Sequence, residues 1–250
     1  MSKFESDYKK LIRRVLTHGT VTKNRTGVNT ITSFGEQLTI DLTKGFPIVT
    51  AKKVFFDKAL HEYLWIKDGG TTIKYLNLHN IKWWDSYADL NGSLGKTYGY
   101  QLRNFNGKED QLMYAINQIK NNSRRAHITM WNPSDLQEQV LPCCYTGITF
   151  VRIGNELNMN IDFRSSDIFL GLPYDIIFGA LLLHDTADFC ELNVGKLKMN
   201  LNNAHIYSNN VIPAKVYLDE PMYKLPGLLY DNRVLSPYKS GLYIEAVLNV

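Results

Sequence analysis

The chain has 250 residues, of which 44% are hydrophobic and 21% charged, and its formal net charge is +4. This is enough apolar material for one large core. No run of about 18 apolar residues exists to cross a bilayer, and the mild charge gathers into no basic tail or stripe of the kind that binds nucleic acid. The three cysteines, Cys143, Cys144 and Cys190, are an odd count with two adjacent, a poor disulfide framework that fits a reducing compartment. Without a Cys-x-x-Cys pair or a His/Cys cluster at zinc spacing, no metal is expected. The opening Met1-Ser2-Lys3-Phe4-Glu5 is charged and lacks the apolar stretch of a secretory signal, so a cytoplasmic protein is expected.

Composition shifts sharply nowhere, and no repeat or Pro/Ser-rich linker appears, so a single domain over 1–250 is expected. In chain order, Phe56, Ala59, Leu60, Tyr63 and Leu64 recur at helical spacing. Within that helix His61-Glu62 matches the start of a zinc-protease motif, but position 65 is Trp65 rather than histidine. Gly92-Ser93-Leu94-Gly95-Lys96-Thr97 imitates a phosphate-binding loop, yet its glycines are too close together and no apolar strand precedes them. Leu112, Ala115, Ile116 and Ile119 mark a second helix. Ile148–Ile153, the turn Gly154-Asn155 and the alternation of Leu157, Met159, Ile161 and Phe163 with Asn158, Asn160 and Asp162 predict a hairpin with one buried face. Pro173 opens an apolar helix through Ile176, Ile177, Ala180 and Leu181. The expected class is α+β, a mixed sheet covered by helices largely on one face.

Leu141-Pro142-Cys143-Cys144-Tyr145 puts a thiol after a proline and before a strand. Alone, it reads as two buried cysteines acting as small hydrophobes. Its company is more telling. Downstream stand Arg164-Ser165-Ser166-Asp167-Ile168-Phe169-Leu170-Gly171-Leu172-Pro173-Tyr174-Asp175 and His205-Ile206-Tyr207-Ser208-Asn209. Upstream stand Asn24-Arg25-Thr26-Gly27, Phe46-Pro47-Ile48-Val49-Thr50-Ala51-Lys52-Lys53, His61-Glu62-Tyr63-Leu64-Trp65 and Ser123-Arg124-Arg125. In this order, from about residue 20 to the C-terminus, these blocks resemble the thymidylate synthase family.

The chemistry that the resemblance implies suits these residue types. C5 of a pyrimidine is a poor nucleophile until something adds at C6. A thiolate adding there makes C5 carbanion-like, able to attack a one-carbon carrier, and can leave again. Nearby arginines favour the thiolate, and guanidinium groups fit a phosphate. By resemblance, Cys144 is the nucleophile and 5,10-methylenetetrahydrofolate the cosubstrate. Arg25, Arg164 and Ser165 would hold the phosphate of a pyrimidine deoxynucleoside monophosphate, with Arg124 and Arg125 reaching in from the partner of a sheet-mediated homodimer. His205 and Tyr207 would bind the sugar 3′-hydroxyl. Glu62 would relay protons through water, with Tyr98 in the network at the base. Trp84, Asp167, Leu141 and Gly171 would face the folate, and Lys52 its tail. No membrane and no nucleic acid is required, and the expected setting is the cytoplasm of a bacterium or of a phage-infected host.

Asp175 departs from the synthase pattern, which has asparagine after the Gly-Leu-Pro-aromatic run. An asparagine pairs with uracil O4 and N3–H, whereas cytosine presents an amino donor at N4 and a bare N3. Leaving either group unpaired in a closed site costs roughly 1–3 kcal/mol. Aspartate here resembles the deoxycytidylate hydroxymethylases of the family. Tyr145 stands where synthases usually have histidine, and Tyr87 where they have tryptophan. The expected reaction is dCMP to 5-hydroxymethyl-dCMP. Reductive methylation of dCMP or dUMP is the alternative, suggested by the C-terminal Ile244-Glu245-Ala246-Val247-Leu248-Asn249-Val250, which resembles the closing tail of synthases. A catalytically silent nucleotide- or RNA-binding relative is the non-enzyme alternative.

Overall fold

The computed structural model describes residues 2–229 and 233–249. Val250, the last residue of the expected closing tail, lies outside them. Helix α1 (Lys3–His18) is capped by the Ser2 side chain, which accepts from the Glu5 N–H. It leads into β1 (Thr20–Thr22) and the long β2 (Thr30–Asp41). Then follow α2 (Phe56–Lys67), α3 (Lys74–Leu78), α4 (Tyr98–Arg103) and α5 (Gln111–Lys120). After β3 (His127–Thr129) come the hairpin β4 (Tyr145–Ile153) and β5 (Glu156–Phe163), and the short β6 (Ser166–Asp167). Helix α6 (Leu172–Phe189) precedes β7 (Asn193–Tyr207), α7 (Val211–Asp219) and a small ribbon of β8 (Gly227–Leu229) and β9 (Val234–Ser236).

The main sheet runs β1-β2-β7-β5-β4-β3, with β6 also on β7. It is mixed: β5 and β6 run parallel to β7, and the other pairs are antiparallel. Helices α1, α5 and α6 pack on it. The fold is therefore α+β as expected. In β5 the burial alternates perfectly, with Leu157, Met159, Ile161 and Phe163 inside. The opposite face is polar: Asn200 Nδ2 donates to Asn160 Oδ1 (2.9 Å) and Asp162 Oδ1 (2.7 Å). Helix α6 is buried nearly all round, from Leu172 to Ala187, as a helix apolar on every side must be. Gly179 makes this possible, because a Cβ there would sit 3.0 Å from Ile161 Cδ1 and Leu197 Cδ2.

Three local features aim side chains at one end of the sheet. In the β4–β5 register Tyr145 pairs with Phe163 but Gly147 pairs with Asp162, so Thr146 is an extra residue. This bulge turns Tyr145 to the same buried side as Ile148 and Phe150. On β7 the buried positions change parity between Leu201 and Ala204, opposite Gly35 of β2, which takes φ 75°. Ala204 and Ile206 then enter the core while His205 and Tyr207 turn out of it. Finally, Glu5 of α1 is buried and accepts from the N–H groups of Thr50 (2.9 Å) and Ala51 (2.7 Å) and from Tyr217 (3.1 Å). It pins the segment that carries Lys52 between α1 and α7.

Candidate active site

At this end of the sheet lies a cavity of about 800 Å³, ample for a nucleotide together with a second ligand of drug-like size. Cys144 sits on its wall just ahead of the β4 bulge, and its N–H donates to the Tyr98 hydroxyl (2.8 Å). Arg164 braces the same segment, donating from Nε to Cys143 O (3.0 Å) and from Nη2 to Pro142 O (2.7 Å), with Nη2 4.0 Å from Cys144 Sγ. Burial pushes the Cys144 thiol up, while Tyr98 and the charges of Arg164 and Arg25 pull it back down. Cys143, by contrast, is wholly buried and pushed up to about 12, chiefly by desolvation. Of the adjacent pair, Cys144 is the available thiol.

Cationic side chains line the cavity. Arg25 rides on a turn braced by Asn24, whose Oδ1 accepts from the Thr26 N–H (2.9 Å) and hydroxyl (2.7 Å). Arg25, Arg164 and Ser165 all line the cavity, as do His205 and Tyr207. Arg124 and Arg125 do not: they are exposed on the turn after α5, outside their own chain's cavity.

Three carboxyls line the cavity as well. Glu62, on α2, accepts at one oxygen, Oε1, from the indoles of both Trp83 (2.7 Å) and Trp84 (2.5 Å). Burial raises its pKa and the two indoles lower it. Asp175 occupies the first turn of α6, where the helix dipole favours a charge. Burial, with Glu62 and Asp167 nearby, outweighs the dipole and pushes it up to about 8. Asp167 Oδ1 accepts from the N–H groups of Phe169 (3.0 Å) and Leu170 (3.1 Å), and burial raises its pKa as well.

Lys52 is only 6% exposed: its ammonium donates to Phe169 O (2.6 Å), lies 3.8 Å from the Phe169 ring centroid, and is driven down to about 8 by burial. Leu141, Gly171 and Trp84 also line the cavity. The C-terminal segment docks along it through Gly241 N–H to Thr50 O (2.7 Å) and reciprocal bonds between Val247 and Asn210, bringing Tyr243, Ile244, Ala246, Leu248 and Asn249 to its wall.

Apart from Arg124 and Arg125, every site residue expected from the sequence lines this one cavity. Sequence reasoning missed Trp83, which shares the Glu62 oxygen, and Tyr174, Tyr243 and the interbonded hydroxyls of Thr22, Thr30 and Thr32. A two-indole run beside a polar loop was the available signal for Trp83. Among the described residues no group of three or more His, Cys, Asp or Glu is placed to hold a metal, and no helix is long and apolar enough to cross a membrane.

A thiol facing a large cavity, together with guanidinium groups and raised carboxyls, is the equipment of covalent catalysis on an anionic substrate. A profile of the family described as thymidylate synthase matches residues 6–240, and the chain belongs to that family. Its members transfer a one-carbon unit to C5 of a pyrimidine nucleotide with methylenetetrahydrofolate as cosubstrate. This chain is a one-carbon transferase of that kind.

Proposed function

We propose that this enzyme hydroxymethylates C5 of dCMP, taking carbon from 5,10-methylenetetrahydrofolate and oxygen from water. The observation that carries this reading is Asp175, pushed up to about 8 beside Glu62 and within the field of Cys144. At neutral pH its carboxyl holds a proton. Thiolate addition at C6 of cytosine drives electron density onto N3, which has no proton of its own. A neutral carboxyl delivers one there while its second oxygen accepts from the N4 amino group; an amide forms hydrogen bonds at these positions but gives up no proton.

Cys144 adds to C6 and later leaves. Arg25, Arg164 and Ser165 hold the phosphate, and His205 and Tyr207 the 3′-hydroxyl. Tyr98 and Glu62 manage protons at the base, with Glu62 Oε2 free of the two indoles that hold Oε1. Trp84, Leu141, Gly171 and Asp167 face the folate. Lys52 braces the Asp167–Gly171 turn through Phe169 O, so Lys53 and Lys58, which also line the cavity, meet the anionic folate tail.

The whole chain, 1–250, acts as one catalytic domain in the cytoplasm and works as a homodimer. The exposed Arg124 and Arg125 reach the partner's phosphate, and the polar sheet face bearing Asn160, Asp162 and Asn200, beside the exposed Val151, meets its copy. A second reading, reductive methylation, is favoured by the docked tail, which shields the folate side from water.

The discriminating experiment is Asp175→Asn. The ratio of kcat/KM for dCMP over dUMP is expected to fall about ten- to a hundredfold, the value of one or two unpaired groups in a closed site. An unchanged ratio overturns the assignment of the base to Asp175.

A further inference from the structure

Beside the main cavity is a second, smaller one of about 70 Å³. Glu62, Trp84, Tyr98, Tyr174 and Asp175 line both, and so stand between them. The rest of its lining is Ala59, Tyr63, Ile66, Tyr145 and Phe178. Tyr145 is 3% exposed, and its hydroxyl has no hydrogen-bond partner among the described residues. An unpaired hydroxyl in an apolar interior is costly, and each such group in a native fold has a reason. Tyr145 is also held there deliberately. The β4 bulge turns it inward, and its ring is clamped 5.1 Å from Phe178 and 4.7 Å from Tyr98. A space of this size, bordered by the unpaired Tyr145 hydroxyl and the carboxyls of Glu62 and Asp175, with Tyr63, Tyr98 and Tyr174 also in its lining, has room for roughly two waters.

We propose that the rear chamber is a water site built by Tyr145, and that its water becomes the hydroxyl of the hydroxymethyl product. Tyr145 is then a positioning residue that acts through that water. The inference rests on the hydroxymethylation of dCMP argued above. At the step concerned, the nucleotide bears an exocyclic methylene at C5 and Cys144 at C6, tetrahydrofolate having departed. Water oxygen bonds to the methylene carbon, and the exocyclic pair moves into the ring. The C5–C6 double bond re-forms as the C6–sulfur bond breaks, returning its electrons to Cys144. The proton lost by water goes to Glu62, and nothing is oxidised or reduced. A chamber that shares Glu62 and Asp175 with the main cavity keeps this water beside the base and apart from the folate side until the methylene exists.

The test measures two yields from dCMP tritiated at C5, with methylenetetrahydrofolate and mercaptoethanol as a competing nucleophile. Tritium release reports C5 activation; mass spectrometry reports the hydroxymethyl nucleotide and the mercaptoethanol thioether. Tyr145→Phe removes the hydroxyl and keeps the ring, and Ala59→Val narrows the chamber from the other side with Tyr145 intact. Each is expected to keep KM for dCMP and tritium release within about twofold of wild type. The hydroxymethyl yield per tritium should fall about tenfold, the missing nucleotide appearing as thioether. Circular dichroism melting verifies the fold, and either variant alone suffices if the other fails to fold.

Wild-type hydroxymethyl yield per tritium in a folded variant overturns the chamber and leaves the dCMP reading standing. A fall of tritium release and hydroxymethyl yield in step shows a merely structural role and also overturns it. A methyl product with dihydrofolate from the wild-type enzyme overturns the hydroxymethylation reading, and the chamber with it.

Discussion

Asp175 and Cys144 set opposing demands on pH. In the proposed reaction the reactive form needs Cys144 ionised and Asp175 protonated, yet burial pushes both upward, Asp175 to about 8. The required combination is therefore a minority species whose population rises with pH until the lower of the two groups has titrated, and declines once both have lost their protons. We expect kcat/KM for dCMP to be bell-shaped with its optimum at or above pH 8. In Asp175→Asn the alkaline decline should vanish, leaving only the rise due to Cys144, and a pH profile that keeps the decline contradicts the role of the aspartate proton. These two residues were legible in the sequence because their types are chemically specific and sit in ordered motifs. Trp83 was not, since its indole meets Glu62 from 21 positions away, a contact that only the packing of α2 against its loop creates. Tyr145 was legible as a departure from the family pattern, but the unpaired hydroxyl that gives it meaning was not.

At the scale of elements, the site depends on how closely α6 lies on β5 and β7. Asp175 is in its first turn, and Gly179, one turn further, leaves no room for a Cβ, which would meet Ile161 and Leu197 at 3.0 Å. Gly179→Val should lift the helix from the sheet, costing about 1–3 kcal/mol by overpacking and raising KM for the nucleotide. Chemical denaturation and steady-state kinetics check both, and a variant of wild-type stability with wild-type KM refutes this account of the glycine. The hairpin β4–β5 and helices α2, α5 and α6 were readable from periodicity, because each has one clear buried pattern. Strands β1, β3 and β6 are two or three residues long, too short to show any period. β7 hides its pattern behind Asn200, Asn202 and Asn203, where the bend reverses which side of the strand is buried. The bulge at Thr146 is likewise a consequence of pairing with β5 and carries no local signature.

For the molecule as a whole, the proposed homodimer has the exposed Arg124 and Arg125 of one copy completing the site of the other. An inactive Cys144→Ser protein mixed in equal amount with inactive Arg125→Ala, under conditions that allow exchange, should recover about a quarter of wild-type sites, because half the dimers are mixed and each of these has one intact site. No recovery in mixed dimers means that the arginines serve no partner site. The composition and motif order foretold one α+β body with a nucleotide site, but how two such bodies meet is a property of surfaces and lay beyond sequence patterns. The central claim, hydroxymethylation of dCMP, is tested most directly by mass spectrometry of the nucleotides formed from an equal mixture of dCMP and dUMP with methylenetetrahydrofolate. The account predicts that the cytosine nucleotide gains one carbon, two hydrogens and one oxygen, and that tetrahydrofolate is released. A uracil nucleotide gaining a methyl group, with dihydrofolate formed, would contradict it.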